Sequence, residues 1–140
     1  MHQKEITLPR KLVNELLHNA QVSEELEVCG FIGKNQAGEY SCYPVENVAE
    51  APSSRFLMAP EEQINTMKAM RDKQEDMFAI YHSHPTAPAI PSATDIEQAA
   101  YPDTLYLIIS LNTKGVLEMR GFKLLHDENI VEIILRMDEK

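Results

Sequence analysis

His82 and His84 stand two residues apart at the end of an apolar run, Met77-Phe78-Ala79-Ile80-Tyr81, and Asp95 follows after ten intervening residues. Imidazole nitrogens and a carboxylate oxygen are the donors that zinc accepts, at about 2.0 to 2.2 Å. The apolar run has the length of a buried strand. On a strand, residues i and i+2 point to one face roughly 6.5 to 7 Å apart, so two imidazoles placed that way can converge on one ion. The chemistry on offer is therefore that of a metal site.

The segment between His84 and Asp95 carries prolines at 85, 88 and 91. Proline fixes φ and steers its predecessor away from the α region, so this loop should hold one path. Ser92 reads as a helix N-cap, with Ala93, Thr94 and Asp95 in the first turn and Ile96, Ala99 and Ala100 continuing an apolar stripe. Ser-x-x-Asp is also a capping-box pattern, which alone accounts for Asp95. His-x-His alone is equally weak, because two histidines at a strand end are more often solvated than liganded. The joint arrangement, two histidines closing a buried strand and an acid waiting at the next helix start, favours a site.

His82-Ser83-His84-Pro85, followed by Pro91-Ser92 and Asp95, resembles the His-x-His-x(10)-Asp signature of the JAMM (MPN+) metalloproteases. An upstream stretch, Glu27-Val28-Cys29-Gly30-Phe31-Ile32-Gly33, is similar to the one that carries the family's glutamate in prokaryotic members. The resemblance runs from Glu27 to about Ser110. It implies that His82, His84 and Asp95 hold one catalytic zinc with a fourth position open, and that Glu27 is the general base. It also implies that Ser92 donates a hydrogen bond to the oxyanion. Without it, Glu27 stands out only by its place directly before a strand, with Glu25 as the alternative two residues earlier on the same extended face.

A chain of 140 residues with 44% hydrophobic and 25% charged residues matches one ordinary globular domain, expected to span 1–140. Its formal charge of −9 comes without clustered Lys and Arg, which argues against nucleic acid. No 18-residue apolar run is present, and Met1 to Glu5 lack the apolar core of a signal peptide, so no membrane partner and a cytoplasmic location are expected. Two cysteines, Cys29 and Cys42, are too few for a disulfide framework. Cys29, among Val28, Phe31 and Ile32, reads as a small buried residue rather than a nucleophile.

The elements that must position the site follow from periodicity. Glu5–Leu8 reads as a strand, and Pro9 opens a helix with Leu12, Val13, Leu16, Leu17 and Ala20 on one face, leaving His18 off the stripe and His2 in the terminal segment. Val28–Lys34 and Glu39–Tyr43 form a hairpin about Asn35–Gly38, with Val45–Val48 extending the sheet. Gly30 and Gly33 allow close backbone approach. Phe56–Met58 reads as a short strand, and Pro60 opens a helix with Ile64, Met67 and Met70 inward. Met77–His84 follows, then Leu105–Leu111 as a central strand and, after a turn at 112–115, the stretch 116–125. His126 falls in a polar turn, and Val131, Ile133, Leu135 and Met137 alternate as a half-buried last strand. Helices between strands and intervening hairpins predict an α/β (α+β) chain with a mixed sheet covered on both faces. The resemblance implies the same three-layer α-β-α, largely antiparallel, cytidine deaminase-like architecture.

The resemblance further implies a zinc-dependent (iso)peptidase acting after the C-terminal tail of a ubiquitin-like or sulfur-carrier protein. Long insertions that recognise chain linkage have no counterpart here. A non-catalytic scaffold of the same fold is the alternative, and it would lack metal ligands that this chain has. A hydrolase of small molecules is a third possibility. Oligomeric state and the cognate substrate are not legible.

Overall fold

The computed structural model describes residues 4–99, 101, 103–113, 117–125 and 129–138. The order is β1 (Glu5–Pro9), α1 (Arg10–Gln21), β2 (Cys29–Lys34), β3 (Tyr40–Val45), α2 (Pro60–Asp72), β4 (Asp76–His84), α3 (Ala93–Gln98), β5 (Leu105–Ser110), β6 (Glu118–Leu124) and β7 (Ile130–Asp138). The seven strands form one sheet in the order β1-β7-β6-β5-β4-β2-β3. Only β1–β7 and β4–β5 pair in parallel, so the sheet is mixed and largely antiparallel.

Side chains alternate across a strand, and β5 divides its own between two cores. Leu105, Leu107 and Ile109 join Leu12, Leu16 and Ala20 of α1 on one face. Tyr106 and Ile108 join Met70 of α2 and Ala89 of the loop before α3 on the other. The result is the three-layer arrangement expected, with α1 on one side and α2 and α3 on the opposite side. The same alternation sorts β4: Tyr81 faces α1, while Ile80 lies on the side of α2 and α3. His82 and His84, at even positions, share the face of Ile80.

Gly30 is required by close approach. A Cβ there would lie 2.4 Å from the Tyr43 carbonyl and 2.5 Å from the Tyr81 hydroxyl. Only a bare Cα lets β2 lie flat between its two neighbours at the height where β4 turns toward the site.

Three local expectations are corrected. Ile64 is 66% exposed. Steps of three residues drift by about 60° each, so Ile64, Met67 and Met70 do not share a face. The half-buried and buried stripe is Gln63, Thr66, Met67 and Met70, at the i, i+3, i+4, i+7 spacing. Phe56–Met58 is not a strand, because Met58 makes a single isolated bridge with Asn47 and the Leu57 N–H donates to the Asn47 side chain instead. In β7, Ile133 is buried and Leu135 half-buried, whereas Val131 and Met137 are 41% and 49% exposed, since helical cover reaches only mid-strand. The helix from Ser92 ends at Gln98, with Ala99 as its C-cap. His2, Ala100, the turn residues Lys114 and Gly115, Val116 and His126 lie outside the described residues, while His18 is exposed as expected.

Candidate metal centre

β4 delivers its histidines deep in the sheet. His82 pairs with Cys29 of β2 and Ile108 of β5, and His84 pairs with Ser110 of β5. Both imidazoles are buried, at 1% and 3% exposure. The proline loop returns the chain over them: the Ser110 hydroxyl donates to the Ala87 carbonyl at 2.7 Å, and the Ile90 N–H donates to the Pro88 carbonyl at 2.8 Å. It ends at Ser92, the N-cap of α3. Ser92 Oγ accepts from the Asp95 N–H at 3.0 Å, and Asp95 Oδ2 accepts from the Ser92 N–H at 2.9 Å. The capping box is therefore real, and it aims the same carboxylate at the histidines. Asp95 Oδ2 lies 3.0 Å from both His82 Nε2 and His84 Nε2, and the two Nε2 atoms are 3.1 Å apart.

Proton accounting shows what this triangle needs. The Pro88 carbonyl, 2.8 Å from His84 Nδ1, can only accept, so Nδ1 carries the hydrogen and a neutral His84 turns its Nε2 lone pair inward. Glu27 adds a further acceptor: it is 4% exposed, and its Oε1 has no hydrogen-bond partner among the described residues. One donor atom from each of Glu27, His82, His84 and Asp95 lies within 4.8 Å of the other three. Among the described residues no Lys or Arg pairs with Asp95 or Glu27. Buried lone pairs converging without a cationic side chain fit a bound metal ion.

In the metal-free chain protons stand where a cation would, and the shifts describe that state. Burial raises the Asp95 carboxyl, but hydrogen bonds from His82 and His84 outweigh it and hold the group well below the usual carboxylate range. Burial keeps His82 below its ordinary value despite Asp95. For His84 burial acts in the same sense, and the Asp95 hydrogen bond, the Pro88 carbonyl and the charges of Asp95 and Glu27 overturn it, raising the group. Burial pushes Glu27 up to about 7, with His84 opposing and Asp95 reinforcing. A carboxylate near neutrality is poised to take up and release protons.

Of the expected residues, His82, His84, Asp95 and Glu27 come together. Ser92 caps α3 beside them, half-buried, and its cap bond uses the oxygen as acceptor, which leaves its proton free. Glu25 is exposed and lies outside the cluster. Ser83 faces away and accepts from the Val28 N–H at 2.9 Å, a structural bond just past Glu27. Cys29 is buried, its thiol pushed up to about 12 chiefly by burial, which bears out its reading as a core residue. Two contributors are absent from the sequence reading. The Asn47 carboxamide donates to the Glu27 carbonyl at 3.0 Å and the Arg55 carbonyl at 3.1 Å, while accepting from the Ala49 and Leu57 N–H groups at 3.0 Å. Phe56, between the last two anchors, stacks on the His82 ring at 4.4 Å. No pattern in the chain marks them, because the two contacts that tie them to the site, Asn47 to Glu27 and Phe56 to His82, each bridge 20 or more residues. Phe56 also walls an apolar cavity of ≈ 350 Å³ that reaches His82 and Asp95.

Comparison with known proteins matches this architecture. A desampylase from Haloferax volcanii is 40% identical over 86 residues, covering 60% of this chain; the match spans 62% of the desampylase's length. The CysO-cysteine peptidase of Mycobacterium tuberculosis is 29% identical over 115 residues, 81% of this chain and 78% of that one. The solution structure of a Desulfitobacterium hafniense protein superposes with a TM-score of 0.81 at 33% identity, covering 96% of this chain and 93% of that chain. Residues 9–122, a span that contains Glu27, both histidines and Asp95, match the model of the prokaryotic homologs of the JAB domain. A buried His-x-His pair and a helix-start aspartate, set in this sheet and inside that match, mean that the chain belongs to the prokaryotic JAB family, a compact branch of the JAMM (MPN+) group.

Proposed function

We propose that this chain, acting as one domain over residues 1–140, is a cytoplasmic zinc-dependent peptidase. Its substrate is the peptide or isopeptide bond after the C-terminal tail of a ubiquitin-like or sulfur-carrier protein. The observation that carries the reading is the triangle of His82 Nε2, His84 Nε2 and Asp95 Oδ2, 3.0 to 3.1 Å on each side, with Glu27 buried beside it. Two imidazoles and a carboxylate suit zinc better than the harder magnesium or calcium, which prefer all-oxygen ligands. His82, His84 and Asp95 would hold it, and a zinc so held acidifies water and polarises a carbonyl.

The remaining work falls to the chain's own groups. Glu27, buried beside the cluster with Oε1 unpartnered among the described residues, takes a proton from the attacking water and hands it to the leaving amine. Ser92 turns its free hydroxyl proton toward the oxyanion that develops, a contact worth about 2.7 to 4 kcal/mol where one such donor has been removed. Relatives named desampylase and CysO-cysteine peptidase support a tail-linked protein substrate. An extended tail could reach the site by adding a strand at the open β3 edge.

The test is to incubate the zinc-loaded protein with adduct-bearing ubiquitin-like proteins encoded in the same genome and to weigh the products. A mass loss at a C-terminal tail, abolished by chelation, is expected. Intact adducts under all zinc-loaded conditions would overturn the reading.

A further inference from the structure

The two histidines are held differently. His84 is fixed through its second nitrogen, which donates to the Pro88 carbonyl at 2.8 Å. His82 has no such anchor: its Nδ1 is buried and has no hydrogen-bond partner among the described residues. A metal-ligating imidazole normally needs that outer bond to fix its ring. What His82 has instead is the face of Phe56, centroids 4.4 Å apart and planes 26° from parallel.

We propose that Phe56 is the positioning residue for His82, an aromatic clamp that fixes the plane of the imidazole where His84 uses a backbone carbonyl. The inference rests on the reading of His82 as a metal ligand. The clamp is itself built in. Asn47 accepts from the N–H of Leu57 and donates to the carbonyl of Arg55, bracketing Phe56 on both sides. A second backbone bond, Val48 N–H to the Leu57 carbonyl at 2.8 Å, closes the bracket. The same carboxamide holds the Glu27 carbonyl, and the Pro52 carbonyl of this loop accepts from the Glu27 N–H at 2.7 Å. One segment, 47–57, therefore sets both the ring plane of His82 and the backbone of Glu27. Stacking restrains rotation about the Cβ–Cγ bond without supplying a proton acceptor. That leaves the His82 donor strength to its burial and to Asp95.

The test is zinc affinity, by competition with a chromophoric chelator, for wild type, Phe56→Leu and Phe56→Tyr. Phe56→Leu keeps apolar bulk and loses the flat face, so its zinc Kd should rise by about 10-fold or more, the range seen when outer partners of a ligand are removed. Phe56→Tyr keeps the face and should bind close to wild type. A second measurement needs no variant: in the zinc-loaded wild type, proton NMR of the imidazoles should show His82 ring protons displaced upfield by the Phe56 ring current relative to those of His84. A wild type that binds zinc while Phe56→Leu binds it equally well overturns the clamp alone, as does a His82 without the upfield displacement. A wild type that takes up no zinc removes the metal reading and the clamp with it.

Discussion

The interior of the sheet at β4 and its β1 edge use charge in opposite ways. Where β4 stops, Glu27, His82, His84 and Asp95 point into one buried volume with no Lys or Arg among the described residues to pair with the acids. Where β7 meets β1, Arg136 forms a two-pronged pair with Glu5 across the parallel register, at 2.8 and 3.0 Å, with both side chains largely in solvent. At the far edge Arg136 and Glu5 find each other, and water screens the pair. At the site buried acceptors converge and, among the described residues, no cationic side chain meets them. An isolated buried cluster of this kind is costly unless something outside the chain completes it. The contrast teaches that the site is built to receive a cation, whereas the β1 edge only needs to stay soluble and in register.

Removing the carboxylate at the centre should have the largest effect. Asp95→Asn takes away the one full negative charge that touches both imidazoles, and zinc binding should weaken by more than the roughly 100-fold seen for outer partners. Equilibrium dialysis measures it, and an unchanged affinity would erase the distinction between the two regions. Next comes Glu27→Gln, which keeps the shape and loses the base. Cleavage of a tail adduct, once one is in hand, should slow by about 10²- to 10⁴-fold. Single-turnover rates are the measure.

A subtler effect follows from protonation. In the metal-free chain Glu27 titrates near 7 when folded and near its ordinary 4.5 when unfolded, so between those values the folded state holds a proton that the unfolded state has released. Its contribution to stability is therefore lost as pH rises from 4.5 to 7. His82, depressed by burial, acts in the opposite direction below its ordinary 6.5. The slope must accordingly be read as the difference between wild type and Glu27→Gln. Denaturation midpoints of the metal-free proteins should move against wild type across that window, and parallel curves would contradict the assignment. The smallest effect is expected at the opposite edge, where Arg136→Ala should leave the melting temperature within experimental scatter because exposed pairs contribute little.

How much of this is legible in the chain depends on how local the physics is. The alternating and continuous apolar runs mark β4 and β5, and the prolines and Ser92 mark the loop and helix start, because each signal is contained within a few residues. Glu27 needs the resemblance, since an acid after Ser23-Glu24-Glu25 looks like solvated surface until Pro52 and Asn47 hold its backbone inward. Ile64 misleads because three-residue steps mimic a stripe that in fact begins at Gln63. Phe56 misleads because a β-prone triplet lost its backbone partner to the Asn47 side chain. Val131 and Met137 keep a strand alternation that only helical cover could turn into burial. For Glu27 the deciding partners lie 20 or more residues away, whereas Ile64 is decided by helix phase and Phe56 by Asn47 of the same loop.

The most direct test is the number of zinc ions per chain, by mass spectrometry of metals after dialysis, for wild type and Glu27→Gln side by side. Three ligands from His82, His84 and Asp95, with Glu27 beside the ion rather than on it, predict one zinc per chain in both proteins. Zinc present in wild type and missing from Glu27→Gln would make Glu27 a ligand, and zinc absent from both would contradict the centre itself.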